Sequence, residues 1–525
     1  MMAKIPVASQ PQTDAQTWAS LLHTAHMRYA QERAVLSKTG WMSYDDVYTG
    51  ATRVAAWLHR FGLPKGARVI LALDNRPEVV VIERALALWG WIRVAVSARL
   101  HAREIEYIAA DCQASVVVCE ARIADDLQAD ALVISAEPGV AASVSVSDLF
   151  QDQGEPPPPP EISPDDVMSL MYTSGTTGRP KGAINTHRSW HAMATNLLAI
   201  LPSVEPGDVL LHAAPMSHFS GSVSSAYMVS GAAIATLSRF SPKAMVHEAI
   251  RVGATCIPLV PTMLNDLVQA YKGQSETCLP GLRVLPYGGS SISVSTLISA
   301  RKLLGDVLLQ MYGSSEALVP VTSLSIEDHA SGTDEIGRLG TAGTPFPGIQ
   351  VRLENQIDGV GEICIRGANV MAGYWGRPQT TSEVLSAQGW YASGDLGILD
   401  ESGRVRIVDR KRDVVISGGF NVYPAEVERV IAGLAEVAEV AVIGTAHPRW
   451  GESVKALIVL KPGARVTAEE VSAVCLTQLA SYKKPLSVEF VAALPKTSTG
   501  KVDKRSLREA DKRGKQVFQT PTDEA

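Results

Sequence analysis

Short β-branched runs separated by helix-length stretches fill the first two-thirds of this 525-residue chain, and that alternation limits the architectures open to it. Residues 67–73 (ARVILAL), 115–119 (SVVVC) and 132–135 (LVIS) read as strands of parallel sheets joined by crossover helices. The apolar stretch 79–96 is interrupted by Glu83, Arg84 and Arg93. That charge argues against a bilayer span and for a buried amphipathic helix running into a strand. A chain of this length exceeds one core and should divide into at least two domains. Near Gly337 the texture changes to short alternating strands with glycine turns (VRLENQIDGVGEICIRG, then GRVRIVD), a small all-β module. Beyond Arg410 come a helix at 425–434, strands at 437–444 and 455–460, and a helix at 468–479. The expected fold is therefore α/β: a large N-terminal domain of mixed α/β sheets plus a small β module, then a smaller mobile α+β C-terminal domain. The boundary is placed in the charged segment 409–413, giving domains 1–409 and 410–525. The proline run 156–160 reads as a stiff surface connector.

Composition narrows the function classes. A hydrophobic fraction of 46% with 19% charged residues describes an ordinary globular protein. The net charge of −6 offers no general attraction to nucleic acid, so no nucleic-acid partner is expected. Six cysteines, at 112, 119, 256, 278, 364 and 475, lack a C-x-x-C pair, which argues against a zinc site or a disulfide framework. They are expected to be buried apolar residues. The first 16 residues lack an apolar core of signal-peptide length, so a cytoplasmic protein without an integral membrane segment is expected.

The strongest chemical signal is the run Thr173, Ser174, Gly175, Thr176, Thr177, Gly178, Arg179, Pro180, Lys181, Gly182, directly after an apolar strand. Glycines and small hydroxyl residues let the backbone turn tightly and aim N–H and O–H groups at phosphate oxygens. Lys181 and Arg179 can neutralise charge there. The spacing is not that of a Walker A loop.

This run resembles the phosphate-binding signature of the adenylate-forming superfamily, the AMP-binding acyl- and aryl-CoA synthetases and their relatives. The resemblance continues along nearly the whole chain in the family's order. Gly288, Gly289, Ser290 and Ser291 are similar to its glycine-rich segment beside adenine and the acyl group, with serines where many members have Ala-Pro. In Tyr312, Gly313, Ser314, Ser315, Glu316 the resemblance implies a tyrosine stacked on adenine, a hydroxyl on phosphate and a carboxylate holding Mg²⁺. A carboxylate is a suitable hard ligand for an ion that keeps waters and bridges phosphates. Asp395, in Ser393-Gly394-Asp395, stands where the family holds the ribose hydroxyls. Ile407 joins the same nucleotide set, and Arg410 would reach the ribose from the hinge at Asp409. Gly418 and Gly419 match the segment lining the pantetheine path, and Trp450 is a candidate coenzyme A contact. Lys501, in Pro-Lys-x-x-x-Gly-Lys, matches the adenylation lysine. His218, Phe219, Ser222, Gly288 and Ala317 are the candidate acyl-pocket residues.

The activity implied is ATP-dependent conversion of a carboxylic acid to its acyl-adenylate, then transfer to coenzyme A with release of AMP and pyrophosphate. Lys501, Glu316 with Mg²⁺, and the 173–182 run would supply the charge neutralisation. A rotation at Asp409–Arg410 would then exchange Lys501 for the Gly418–Gly419 face. The segment Phe219-Ser220 carries no acid to pair with an amine, which disfavours α-amino acids. Two alternatives stay open: loading of an acyl carrier protein, and a non-catalytic nucleotide-binding role. Lys501, Glu316 and Asp395 are all present, against the second. The acid and the oligomeric state, a homodimer included, are left open.

Overall fold

The computed structural model describes residues 16–138, 144–152, 154–173, 179–273, 278–330, 335–417, 419–497 and 501–513. The chain forms two compact units, residues 1–351 with 365–391, and residues 352–364 with 392–525. The chain thus crosses between them at 351/352, 364/365 and 391/392. Most of the β module is grouped with the C-terminal region, whereas the sequence boundary at 409/410 had assigned it to the N-terminal domain. The reason is local. The strand Val405–Arg410 pairs with Tyr391–Leu399, and the Asp409 carboxylate accepts the Ala425 N–H at 2.7 Å.

Among the described residues of the first unit, an eight-stranded sheet runs in the order Gly373–Tyr374, Lys181–Thr186, Val167–Thr173, Ile92–Ala95, Arg68–Ala72, Val116–Cys119, Leu132–Ser135, Val144–Ser145. The strands Ile92–Ala95, Arg68–Ala72, Val116–Cys119 and Leu132–Ser135 pair in parallel, and Val116–Cys119 is buried at every residue, which is why it reads as an unbroken apolar run. The expected helix-into-strand at 79–96 is Pro77–Trp89 followed by Ile92–Ala95. Arg93 tolerates burial because Glu83 pairs with it and the Trp190 ring lies 5.4 Å from its guanidinium. A second sheet orders Val209–His212, Ala233–Thr236, Arg33–Ser37, Gly40–Ser43, and a third Leu285–Gly288, Leu308–Tyr312, Thr322–Leu324, Thr344–Pro345.

The second unit holds a five-stranded sheet built on the hairpin Val437–His447/Gly451–Leu460, with helices Pro424–Ala432 and Ala468–Gln478. These elements match the expected α+β pattern. The sheet Gln350–Ile357, Val360–Arg366, Tyr391–Leu399, Val405–Arg410, its last two strands antiparallel, is the β module, and in sequence a short helix Pro378–Val384, opened by proline and grouped with the first unit, falls between its second and third strands. The prolines 156–160 lie in an irregular stretch, where the Trp89 indole donates to the Pro157 carbonyl. Five cysteines are buried and Cys278 is half-buried, each with a free thiol. No helix among the described residues is long and apolar enough to cross a membrane.

Candidate active site

In the first unit, the two ends of the phosphate-type run meet as a strand pair. Thr173, the last residue of its strand, lies opposite Lys181, the first of the next. Lys181 is buried, with its ammonium 4.8 Å from the centroid of the Tyr374 ring. A buried ammonium facing a ring keeps its charge partly compensated while remaining available to an anion. Ser174, Gly175, Thr176, Thr177 and Gly178 lie outside the described residues.

Glu316 is held immediately beside this pair. Its Oε1 accepts hydrogen bonds from Thr173 Oγ1 at 3.3 Å and from the Tyr374 hydroxyl at 3.0 Å. Burial, reinforced by the Glu316 carboxylate, pushes the Tyr374 phenol up, so it keeps its proton and donates. Both of these donors use Oε1. No cluster of three or more His, Cys, Asp or Glu side chains able to hold a metal occurs among the described residues. A single carboxylate suits Mg²⁺ shared with substrate phosphates better than an all-protein cage. The turn carrying Glu316 is tightly specified. Ser314 Oγ accepts the N–H groups of Glu316 and Ala317, and Asn185 donates to the Ser315 carbonyl at 3.0 Å. A Cβ at Gly313 would lie 2.8 Å from the Val319 side chain.

Gly288 ends a buried strand paired with Met311, one residue before Tyr312. A Cβ there would lie 2.4 Å from the Met311 carbonyl and 3.2 Å from the Phe219 ring, so the glycine lets Phe219 approach the strand end. Ser290 and Ser291 are exposed beyond Gly289. His218 precedes the helix Phe219–Val229 and its Nδ1 lies 2.7 Å from Ser217 Oγ. Ser222 and Ala317 are buried.

Three buried histidines and Tyr374 carry no signal in the sequence that marks them. His212 Nδ1 meets Ser220 Oγ at 2.6 Å, and His329 accepts from the Tyr287 hydroxyl at Nε2 while Nδ1 donates to the Ser325 carbonyl. His187 is also fully buried. Burial pulls His212 down to about 3 and His187 and His329 down to about 4. All three are neutral in the fold and take up protons on unfolding below their ordinary value of about 6.5. The unfolded state then binds more protons, so stability is lost as pH falls from about 6.5 toward 4. Up to three protons give a slope on the order of 4 kcal/mol per pH unit at its steepest. Urea midpoints compared at pH 7.5 and pH 5 should differ accordingly; equal midpoints would refute the assignment.

In the second unit, the turn Ser393–Asp395 is fixed by Ser393 Oγ, which donates to the Ile363 carbonyl and accepts the Asp395 N–H. Gly394 takes a positive φ of 73° and donates its N–H to Glu362. Asp395 is buried and pairs with Arg410 Nε at 2.6 Å, directly across the strand pair. Ile407 lies opposite Gly397 with its side chain partly exposed. Asp409 accepts the N–H groups of Arg410 and Ala425, and burial raises its pKa. Gly419 takes a positive φ of 86° in the hairpin joining Val415–Ser417 to Phe420–Val422, while Gly418 lies outside the described residues. Trp450 is partly exposed and stacks on His447 at 4.5 Å. Lys501 is exposed, and its backbone is clamped to Thr497 by two hydrogen bonds, of 2.7 and 3.2 Å. Thus Thr173, Lys181 and Glu316 come together in one unit, and Asp395, Ile407, Asp409 and Arg410 in the other.

The family profile described as AMP-binding enzyme matches residues 22–375, and that of the AMP-binding enzyme C-terminal domain matches residues 426–501. A feruloyl-CoA synthase from Amycolatopsis sp is 36% identical over 476 residues, covering 89% of this chain and 93% of that protein. The long-chain-fatty-acid–CoA ligase FadD13 of Mycobacterium tuberculosis is 32% identical over 481 residues, 89% of this chain and 93% of its own. The crystal structure of ATP-bound MatB from Rhodopseudomonas palustris superposes with a TM-score of 0.84 at 28% identity, over 96% of this chain and 100% of that one. By sequence, by the order of its motifs and by fold, this chain belongs to the adenylate-forming superfamily of AMP-binding enzymes.

Proposed function

We propose that this protein joins an uncharged-chain carboxylic acid, aliphatic or aromatic, to coenzyme A at the expense of ATP, through an enzyme-held acyl-adenylate. The observation that carries the reading is the Glu316 carboxylate, held through one oxygen by Thr173 and Tyr374 and set beside the buried Lys181 pair. Such a constellation suits binding of a polyphosphate chain with a hard cation. When bound, Mg²⁺ supplies neutralisation of phosphate charge. Thr173 and Lys181 orient and neutralise the phosphates, Asp395 accepts from the ribose hydroxyls, and Lys501 neutralises charge between carboxylate and α-phosphate as adenylation proceeds. Gly419 and Trp450 are assigned to the thiol substrate, and the exchange between half-reactions to a hinge at Asp409–Arg410. Among the residues assigned to the acyl pocket, His218, Phe219, Ser222, Gly288 and Ala317, there is no carboxylate. An apolar acid is favoured by that chemistry, as it is by relatives named for ferulate and for long-chain fatty acids.

The test is AMP and pyrophosphate release with Mg·ATP across short- to long-chain and aryl acids, each with and without coenzyme A. AMP and a thioester appearing together for one class support the reading. Pyrophosphate release indifferent to coenzyme A would transfer the acceptor role to a carrier protein, and no release with any acid would sink the reading. Asp395→Asn offers a sharper check on the nucleotide end. A carboxylate accepting two ribose hydroxyls becomes a neutral amide, and kcat/KM for ATP should fall by roughly 10–100-fold. An unchanged value removes Asp395 from the ribose site.

A further inference from the structure

Beneath the nucleotide end of the first unit lies a polar cluster that the reaction itself leaves unused. Helix Ala102–Cys112 presents Tyr107 and Asp111 four residues apart, on one face. Asp111 Oδ2 accepts the Tyr172 hydroxyl at 2.7 Å, and Oδ1 accepts Arg377. Arg377 also donates to the Tyr107 hydroxyl at 3.1 Å, and that hydroxyl lies 3.3 Å from the Pro180 carbonyl. The Arg179 guanidinium stands 5.8 Å from the Tyr107 ring.

Each contact ends on a backbone that carries a group of the nucleotide site. Tyr172 precedes Thr173, and Pro180 precedes Lys181. Arg377 closes the turn that holds Tyr374: its N–H donates to the Tyr374 carbonyl at 3.1 Å. Thr381 Oγ1 binds both the Tyr374 N–H and the Arg377 carbonyl. Trp375 N–H reaches the Gly182 carbonyl at 2.8 Å, which joins that turn to the Lys181 strand. Through its direct partners Tyr172 and Arg377 this carboxylate ties the ends of two strands, Val167–Thr173 and Gly373–Tyr374, and the strand between them, Lys181–Thr186, is joined through the Tyr107 hydroxyl and the Trp375 N–H. These strands supply Thr173, Lys181 and Tyr374, the side chains that surround Glu316. The groups assigned to adenosine, Tyr312, Gly289 and Asp395, lie on other elements.

We propose that Asp111 is a positioning residue for the polyphosphate of ATP: by tying Tyr172 to Arg377 it sets the spacing of Thr173, Lys181 and Tyr374 without touching the nucleotide. The inference rests on the proposed function and assigns the brace to the phosphates rather than to adenosine. Charge-assisted hydrogen bonds such as Arg377 to carboxylate are about twice as strong as neutral ones, so Asp111→Asn weakens the brace while preserving its shape.

The test is calorimetric binding of Mg·ATP and, separately, of AMP to the full chain as wild type, Asp111→Asn, Tyr172→Phe and the double variant. Asp111→Asn should raise the Kd for Mg·ATP by about tenfold and leave that for AMP within about twofold. Tyr172→Phe should move the same way by less, and the double variant should bind ATP no more weakly than the sum predicts, because both substitutions cut one network. A merely structural role moves both nucleotides together, so equal losses for ATP and AMP overturn the inference, as does no loss for either. If Asp111→Asn does not fold, Tyr172→Phe decides by the same ATP-over-AMP difference. A wild-type chain that binds neither nucleotide brings down the proposed function, and the inference with it; a wild-type chain that binds both leaves the variants to decide the role of Asp111 alone.

Discussion

Lys501→Ala should form acyl-adenylate roughly 10²–10³-fold more slowly than wild type, a loss typical of removing one preorganised charge from a transition state. Adenylation brings a carboxylate toward an anionic α-phosphate, and a cation placed between them lowers the barrier by more than it aids substrate binding. The local structure holds the Lys501 backbone in place. Thr497 N–H donates to the Lys501 carbonyl and its Oγ1 accepts the Lys501 N–H, while Lys496 pairs with Val502 as an isolated bridge. Alanine leaves this backbone clamp intact, so the fold should persist. Thioester formation from a supplied acyl-adenylate should stay within a few-fold of wild type, because that step creates no carboxylate–phosphate repulsion. Measuring each half-reaction alone decides the matter: equal losses in both halves, or none in adenylation, would remove Lys501 from its role.

Gly221→Ala should be the most damaging single methyl near the candidate acyl-pocket residues. A Cβ at Gly221 would sit 1.9 Å from the Met216 carbonyl, a backbone atom fixed just before His218. No rotamer relieves a backbone clash, so the helix Phe219–Val229 must shift relative to the 215–218 turn. Overpacking of this kind costs about 3 kcal/mol or more where the neighbour cannot yield. The displaced first turn carries Phe219, whose ring lies against Gly288, so the KM for the acid should rise together with the loss of stability. Denaturant unfolding and acid saturation curves check both. Wild-type values in the two measurements would show that the turn is softer than its geometry implies.

Much of the secondary structure was legible because it follows from local pattern. The helix Pro77–Trp89 and strand Ile92–Ala95 could be read through three charged residues because the surrounding run is apolar, although Arg84 and Arg93 are themselves buried, Arg84 donating to the Leu22 carbonyl and Arg93 pairing with Glu83. The C-terminal hairpin and its helices were also in place, within a few residues at their ends. The compact units divide elsewhere than at 409/410, because a composition shift at 409–413 marks charge. It does not mark strand pairing, and Asp395–Arg410 crosses it. The named site residues were readable as motifs, while their supports were not. Tyr374 reaches Glu316 across 58 positions, Asn185 reaches the Ser315 carbonyl across 130, and Arg377 reaches Asp111 across 266. Nothing local marks such residues, because a tyrosine after a glycine or an asparagine within a strand has many ordinary uses. His212 and His329 were invisible for the same reason: a buried imidazole bonded to a serine or a tyrosine leaves no periodic trace.

The three crossings of the chain between its compact units bear on how such a protein can be recombined. Two modules joined by one linker can be exchanged with a single breakpoint in the gene. Here a breakpoint at 409/410 would take Asp395 from one parent and Arg410 from the other, and likewise part Glu362 from Lys411, whose ion pair is 2.7 Å long. A junction after residue 391 keeps Asp395 with Arg410 but still parts Glu362 from Lys411, because Glu362 lies upstream on residues 352–364. A junction at 351/352 keeps both pairs but parts Tyr374 from Glu316 and Arg377 from Asp111, so each of these three junctions leaves a polar contact assembled from two lineages. Functional shuffling is expected to favour parents that share the acid at 362 and the base at 411.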